Sequence, residues 1–103
     1  MARYTLDEKI DNWGEDRGIA DHGKPMGQAI KTLEETNELL VAINTGDRVG
    51  IEDAIGDIYV TLRMQCLLLD MDMDDCIERA YNEIKDRKGY LRSDGTFIKE
   101  EEK

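Results

Sequence analysis

Two acidic pairs at helical spacing are the residues of this sequence best suited to chemistry. Glu35 and Glu38 stand three positions apart, and Asp53 and Asp57 stand four positions apart. In a helix such side chains are neighbours on one face, with Cβ atoms about 5–6 Å apart. Like charges at this spacing destabilise a helix, so gathering four of them favours a bound cation. Mg²⁺ is the natural candidate because it prefers oxygen ligands, and Mn²⁺ accepts similar ones.

A solvated surface is the competing interpretation of these acids. The chain is 37% charged, and in such a composition a pair of glutamates on a helix arises easily by chance. The second pair, one helix later, favours a metal site more than either pair does alone. Both interpretations stay open on spacing alone.

Four helices are predicted to position these residues in a single domain over residues 1–103. Apolar periodicity, Pro25, Gly46 and the acids that follow Met71 set their bounds. The helices are expected at about 6–17, 25–45, 47–70 and 72–88, with a loop at 19–24 and a tail at 89–103. Within the tail, Asp94-Gly95 between short apolar pairs predicts a hairpin or a folded-back segment.

The two central helices differ in their apolar faces. The first has one apolar stripe, which predicts an ordinary core face; it comprises Met26, Ile30, Leu33, Asn37 and Leu40. The second has two. One comprises Ile51, Ile55, Ile58, Leu62, Cys66 and Leu69; the other begins at the aspartates and continues through Val60, Met64, Leu67 and Leu68. Because so short a chain can hardly cover both faces, we expect a second subunit to cover one of them.

The overall charge excludes some classes of partner. The chain of 103 residues carries 14 Lys and Arg against 24 Asp and Glu, a net charge of −10. This argues against binding to a nucleic-acid duplex, because contact with phosphates needs clustered cations. No apolar run reaches the roughly 18 residues of a membrane span. Cys66 and Cys76 do not make a disulfide framework, so a soluble cytoplasmic protein without membrane partners is expected.

Several segments together carry a family resemblance. They are Gln28-x-x-Lys31-x-x-Glu34-Glu35-x-x-Glu38-Leu39, Asp53-Ala54-Ile55-Gly56-Asp57-Ile58, Asn82-x-x-Lys85-x-Arg87-Lys88-Gly89 and Asp94-Gly95-x-Phe97. The sequence resembles the MazG-like family of all-α nucleoside triphosphate pyrophosphohydrolases, in its small single-domain form from phages and bacteria. The hallmark of that family is ExxE followed one helix later by ExxD.

The resemblance implies a fold, an activity and a set of residues. The fold is all-α, like a four-helix bundle, and is completed by formation of a homodimer or homotetramer. The activity is Mg²⁺-dependent cleavage of a (d)NTP between the α- and β-phosphates, giving (d)NMP and pyrophosphate. Glu35 and Glu38 match the ExxE pair, and Asp57 matches the final Asp of ExxD. Asn82, Lys85 and Arg87 match positions that contact the nucleotide or its phosphates.

One position departs from the family pattern. Ala54 stands where the first acid of ExxD is expected, and Asp53 is the acid that could reach the same region. The metal set is therefore predicted as Glu35, Glu38, Asp57 and Asp53. An alternative function follows from Ala54: an acidic helical module that binds a nucleotide or a protein, with weak or lost hydrolase activity.

The expected chemistry assigns roles to the remaining candidates. Glu35 or Glu38 would orient or deprotonate the attacking water. Lys31, like the two cations of the last helix, could neutralise the leaving pyrophosphate, although salt bridges within a helix explain such residues as well. Trp13 is the only tryptophan and could stack on a base, with core packing as the alternative.

Overall fold

The computed structural model describes residues 4–100, and the chain divides into two compact units between Met71 and Asp72. The first unit contains the helices α1 (Leu6–Asp16), α2 (Ile19–His22), α3 (Pro25–Thr45) and α4 (Arg48–Leu69). The second contains α5 (Met73–Ile84) and the strands β1 (Gly89–Leu91) and β2 (Phe97–Lys99). The all-α class is therefore confirmed, whereas the single domain over 1–103 stays a prediction. The last tail residues, 101–103, lie outside the described part.

Local capping explains where the long helices begin and end. Pro25 occupies the first turn of α3, where a missing N–H costs nothing. Gly46 ends α3 in the left-handed conformation, with φ 70°. Asp47 then begins α4, since its carboxylate accepts a hydrogen bond from the Gly50 N–H at 3.0 Å. The predicted bounds of both helices are correct to within one residue.

α3 and α4 form a helical hairpin, and their packing is the most extensive between elements. The Thr32 hydroxyl donates to the Thr61 hydroxyl at 2.8 Å, and the Gln65 amide donates to the Pro25 carbonyl at 3.0 Å. Ala42 and Ala54 are buried, and such small side chains let the two backbones approach closely. This hairpin is the frame on which the candidate site is built.

The predicted core stripe of α3 is wrong. Met26, Ile30, Leu33 and Leu40 are each between 51% and 72% exposed. The face that packs on α4 instead contains Gln28, Thr32, Glu35, Leu39 and Ala42. Hydrophobic periodicity locates an apolar face but does not say which surface covers it.

α4 also has one apolar stripe that is largely exposed and another face that is covered. Ile55, Leu62 and Leu69, from the first of its predicted stripes, are 41–56% exposed. The second face is the covered one, and Met64 within it is only 1% exposed. α4 therefore has the two apolar faces that the sequence predicts, but only one of them is covered within the described residues.

Two further predictions need correction. Residues 19–24 were expected as a loop, but Ile19–His22 makes one helical turn, entered through Gly18 with φ 77°. The last helix ends at Ile84 rather than near residue 88. A turn follows the helix, in which the Arg87 N–H donates to the Ile84 carbonyl, and Lys88 already pairs with the tail: the Glu100 N–H donates to the Lys88 carbonyl at 2.7 Å.

The predicted C-terminal hairpin is confirmed. β1 and β2 pair antiparallel, with Tyr90 opposite Ile98. Asp94 accepts a hydrogen bond from the Thr96 N–H at 2.9 Å, which lowers the pKa of Asp94, and Gly95 takes a φ of 87°. Gly89 is required in β1, because an added Cβ would lie 2.1 Å from the Ile98 carbonyl oxygen.

Within residues 4–100, no helix is both long and apolar enough to cross a lipid bilayer.

Candidate functional site

Three carboxylates converge where α3 packs on α4. Oxygen atoms of Glu35, Glu38 and Asp57 all lie within 4.8 Å of one another. The two glutamates are one turn apart on α3, and the aspartate reaches them from α4. Glu35 is 8% exposed, Asp57 is half-buried and Glu38 is exposed. The cluster thus runs from the helix interface outwards to solvent.

The environment of Glu35 is unfavourable for a lone carboxylate. Its Oε2 atom is buried and has no hydrogen-bond partner. Burial, followed by the adjacent Glu38, raises the pKa of Glu35. Lys31 Nζ lies 3.7 Å from Glu35 Oε1, but it also pairs with the exposed Glu34 at 3.2 Å and is itself half exposed. One oxygen of Glu35 is therefore left for another cationic ligand.

The pKa of Asp57, which stands on α4, is raised as that of Glu35 is. Burial raises its pKa, and the negative charges of Asp53 and Glu35 raise it further. The three carboxylates supply only hard oxygen donors, which suit Mg²⁺ or Mn²⁺ rather than a metal that prefers sulfur or imidazole. The donor set and the unpartnered Glu35 oxygen fit a divalent cation of this class.

The position three residues before Asp57 departs from the ExxD pattern of the family. Ala54, 3% exposed, lies inside the α3–α4 interface and brings no charge there. Asp53 is exposed and is not one of the three converging carboxylates among the described residues. Its influence on Asp57 is electrostatic, and its role as a metal ligand stays a prediction.

A cavity of about 390 Å³ adjoins the carboxylates. Its polar wall contains Glu35, Asp57, Lys31 and Gln28. Its apolar lining includes Trp13, Ile19, Val60 and Met64. A site that joins charged groups to an apolar pocket suits a ligand with an ionic end and a flat apolar end.

Trp13 also lines a second cavity. The second cavity has a volume of about 330 Å³ and shares Trp13, Asp57 and Val60 with the first. Trp13 is 43% exposed, so the alternative that it packs in the core is wrong. Its indole is positioned as a wall that a planar ligand can contact.

Two polar residues of this cavity were not among the predicted site residues, although one of them, Gln28, stands in the motif that carries the family resemblance. Gln28 lies two turns before Glu35 on the same face of α3, and Thr61 lies one turn after Asp57 on α4. Their helical register with the acids was a usable signal.

The C-terminal candidates belong to the second unit. Asn82 lies in α5, Lys85 is the residue at its C-terminal end, and Arg87 follows in the turn. The Lys85 N–H donates to the Tyr81 carbonyl at 2.9 Å, and the Arg87 N–H donates to the Ile84 carbonyl at 2.9 Å. Contact of these three side chains with a nucleotide stays a prediction.

Comparison with known proteins identifies the family. Residues 28–91 match the MazG nucleotide pyrophosphohydrolase domain, and this segment covers more than half of the chain. It contains the whole acidic cluster. The chain therefore belongs to the MazG nucleotide pyrophosphohydrolase family, as its motifs suggested.

A curated relative from a phage matches part of the chain. It is an uncharacterized 18.2 kDa protein in the rep-hol intergenic region of Haemophilus phage HP1 (strain HP1c1), 35% identical over 57 residues. The match covers 55% of this chain and 35% of that protein, so the chain spans about a third of the length of this relative. No solved structure gives a significant match.

Proposed function

We propose that this protein is a Mg²⁺-dependent nucleoside triphosphate pyrophosphohydrolase, which cleaves a (d)NTP between its α- and β-phosphates. The observation that carries the proposal is the convergence of Glu35, Glu38 and Asp57 beside a cavity walled by Trp13. The unpartnered Glu35 oxygen supports a cation at this place. Membership of the MazG family supports the reaction class.

The acidic cluster would hold the metal. Glu35, Glu38 and Asp57 offer the oxygens, and Asp53 lies close enough to influence Asp57. A metal held by these carboxylates would supply positive charge against the negative charge that grows on the phosphates during the reaction. Mn²⁺ would fit the same donors.

The chain's own residues would bind the substrate and move the proton. Glu35 or Glu38 would orient the attacking water and accept its proton. Lys31 faces the cavity beside Glu35, where its ammonium group can neutralise phosphate charge. The Trp13 indole would stack on the base at the apolar end. Asn82, Lys85 and Arg87 are proposed as further contacts to the nucleotide.

Pyrophosphate release from a panel of NTPs and dNTPs tests this proposal. Wild-type protein with Mg²⁺ is expected to turn over at least one of them, and chelation by EDTA should stop the reaction. Glu38→Gln is expected to abolish turnover with the helical content intact, because it removes one carboxylate from an exposed position. Glu34→Gln, on the same helix and outside the cluster, is the matched control. Full turnover by Glu38→Gln would overturn the site assignment.

A second function is favoured by one observation, the buried Ala54 in place of an acid. With one carboxylate fewer, the site would bind a nucleotide or a basic protein and hydrolyse little or nothing. Nucleotide binding by calorimetry without pyrophosphate release from any member of the panel would support this function. Efficient turnover of a triphosphate that depends on Mg²⁺ would reject it.

We also propose that the protein is a homodimer or homotetramer joined through the exposed stripe of α3. Ile30 and Leu33 are 51% and 70% exposed, and contiguous apolar surface of this kind marks interfaces. Leu33→Glu should lower the mass measured by light scattering after size exclusion. Val49→Glu, at an exposed position of α4, is the matched control. A monomeric wild-type protein would contradict the proposal.

A further inference from the structure

A polar clamp holds α1 against α4, and we define it as Asp7, Asp11, Tyr59 and Arg63. The Arg63 guanidinium donates two hydrogen bonds to Asp11, of which Nε to Oδ1 measures 3.0 Å. Its Nη1 atom lies 3.7 Å from Asp7 Oδ2. The Tyr59 hydroxyl donates to Asp7 Oδ1 at 2.8 Å. Two residues one turn apart on α1 are thus bound by two residues one turn apart on α4.

The clamp is more sheltered than an ordinary surface ion pair. The side chains of Arg63 and Asp11 are 17% and 23% exposed. Paired donation by a guanidinium fixes direction as well as distance. The hydrogen bond to Asp7 raises the pKa of Tyr59, and the hydrogen bond to Asp11 raises the pKa of Arg63. The clamp therefore constrains where α1 lies on α4.

Trp13 lies directly after the clamp on α1. It follows Asp11 by two residues and precedes Gly14, which is buried against Met64. A Cβ at Gly14 would lie 2.3 Å from the Met64 Sδ atom, so the helices are already in close contact there. The indole is consequently held between two attachments of α1 to α4. Its place over the two cavities depends on both.

The carboxylates do not depend on α1 in the same way. Glu35 and Glu38 stand on α3, Asp57 stands on α4, and these helices are joined by the Thr32–Thr61 hydrogen bond. Loosening α1 would displace Trp13 and leave the acidic cluster in place. The structure therefore places the acidic cluster, which would hold the metal, on α3 and α4, and Trp13 on α1.

We propose that the clamp positions the Trp13 indole over the cavity and so sets the affinity for the planar base of a nucleotide. Arg63 is a positioning residue in this scheme, since it acts through Asp11 and α1 rather than by touching the substrate. The inference rests on the proposed function for the identity of the ligand. The placement of Trp13 by the clamp can be tested without any ligand.

The test uses the full chain and exploits Trp13 as its only tryptophan. Arg63→Met removes the guanidinium and keeps a similar length. Arg48→Met is the matched control, because Arg48 lies on the same helix and pairs only with the exposed Glu52 at 3.7 Å in the described ion pairs. Acrylamide quenching of the tryptophan fluorescence in the free chain should rise in Arg63→Met and stay at the wild-type value in Arg48→Met.

Steady-state kinetics supply the second measurement, with the triphosphate that the wild-type protein hydrolyses best. Loss of a charged hydrogen bond that positions a binding group should raise KM about tenfold in Arg63→Met. The kcat value should remain close to that of the wild type. Arg63→Lys should be intermediate, because an ammonium keeps the charge but not the paired geometry.

Each outcome decides the inference. Unchanged quenching and KM in Arg63→Met, or a fall in kcat alone, would overturn it. If circular dichroism shows that Arg63→Met does not fold, Asp11→Asn, which retains the Tyr59–Asp7 bond, carries the same test.

If wild-type protein hydrolyses no triphosphate, the proposed function fails. Acrylamide quenching of the free chain and titration with α,β-methylene triphosphate analogues then still test the clamp. If the Trp13 fluorescence does not respond to the analogues, the role of the clamp in nucleotide binding is overturned.

Discussion

Replacement of Glu35 by glutamine should stabilise the metal-free protein and abolish its activity. Glu35 is 8% exposed, its Oε2 atom has no hydrogen-bond partner, and two other carboxylates stand within 4.8 Å. Glutamine keeps nearly the same shape and removes the negative charge. Glu35, which we expect to bind the metal, thus lowers the stability of the metal-free protein.

The structure sets the size of this effect. Two unit charges 4.8 Å apart repel by about 0.9 kcal/mol in water and by about 3.5 kcal/mol at an effective dielectric constant of about 20. The repulsion between Glu35 and the exposed Glu38 lies near the lower value. The repulsion from Asp57 is moderated because Asp57 is half-buried and its raised pKa reduces its mean negative charge. The lost attraction to Lys31 offsets only a small part of this, because that side chain is 54% exposed and also pairs with Glu34. A net gain of about 1–2 kcal/mol remains.

Thermal unfolding followed by circular dichroism measures this gain. In EDTA at neutral pH, Glu35→Gln should unfold at a higher Tm than the wild type, by roughly 4–8 °C for each kcal/mol in a domain of this size. Glu34→Gln, a neighbouring change at a side chain that is 58% exposed, should leave Tm nearly unchanged. Added Mg²⁺ should raise the wild-type Tm by binding to the folded state and should raise that of Glu35→Gln much less.

Two results would refute the reasoning. A Glu35→Gln protein less stable than wild type in EDTA would mean that the Glu35 charge is compensated in the metal-free fold. Equal stabilisation of both proteins by Mg²⁺, or undiminished pyrophosphate release by the variant, would remove Glu35 from the metal-binding residues.

Three further predictions concern the same site. In EDTA, wild-type stability should fall as pH rises from about 4.5 through the raised pKa values of Glu35 and Asp57, because the folded state binds these protons more tightly than the unfolded chain. Tm measured against pH should show a shallower fall in Glu35→Gln, and equal slopes would contradict this account. Ala54→Glu should lower Tm in EDTA, because it buries another charge, and should tighten Mg²⁺ binding in a calorimetric titration; weaker binding would show that the acid cannot join the cluster. Trp13→Ala should raise KM for the triphosphate with little change in kcat, and Trp13→Phe should largely restore it; unchanged KM in both would exclude base stacking.

Local signals in the sequence predicted most of the secondary structure. Pro25, Gly46 and Asp47 act on the residues beside them, so the bounds of α3 and α4 could be located without knowing the fold. The turn at Gly95 was equally local. The end of α5 could not be located from local signals, because Lys88 pairs with Glu100, which lies a dozen residues further along the chain.

The sequence by itself also determined which acids were candidates, since spacing along a helix is a property of the chain. Glu35 and Glu38 had to share one side of α3, and Asp57 followed one helix later. Spacing could not show that Glu35 is buried or that Asp53 lies outside the converging three. Both depend on the rotation of one helix against another.

Only the tertiary structure decided which face of α3 is covered. The apolar stripe at Ile30 and Leu33 was expected inside, but α3 turns the face with Thr32, Glu35 and Ala42 towards α4. Burial is a property of two surfaces in contact, and a hydrophobic pattern describes only one of them. The raised pKa of Glu35, its unpartnered oxygen and the cavity under Trp13 all follow from that packing, and so does the apolar stripe left exposed.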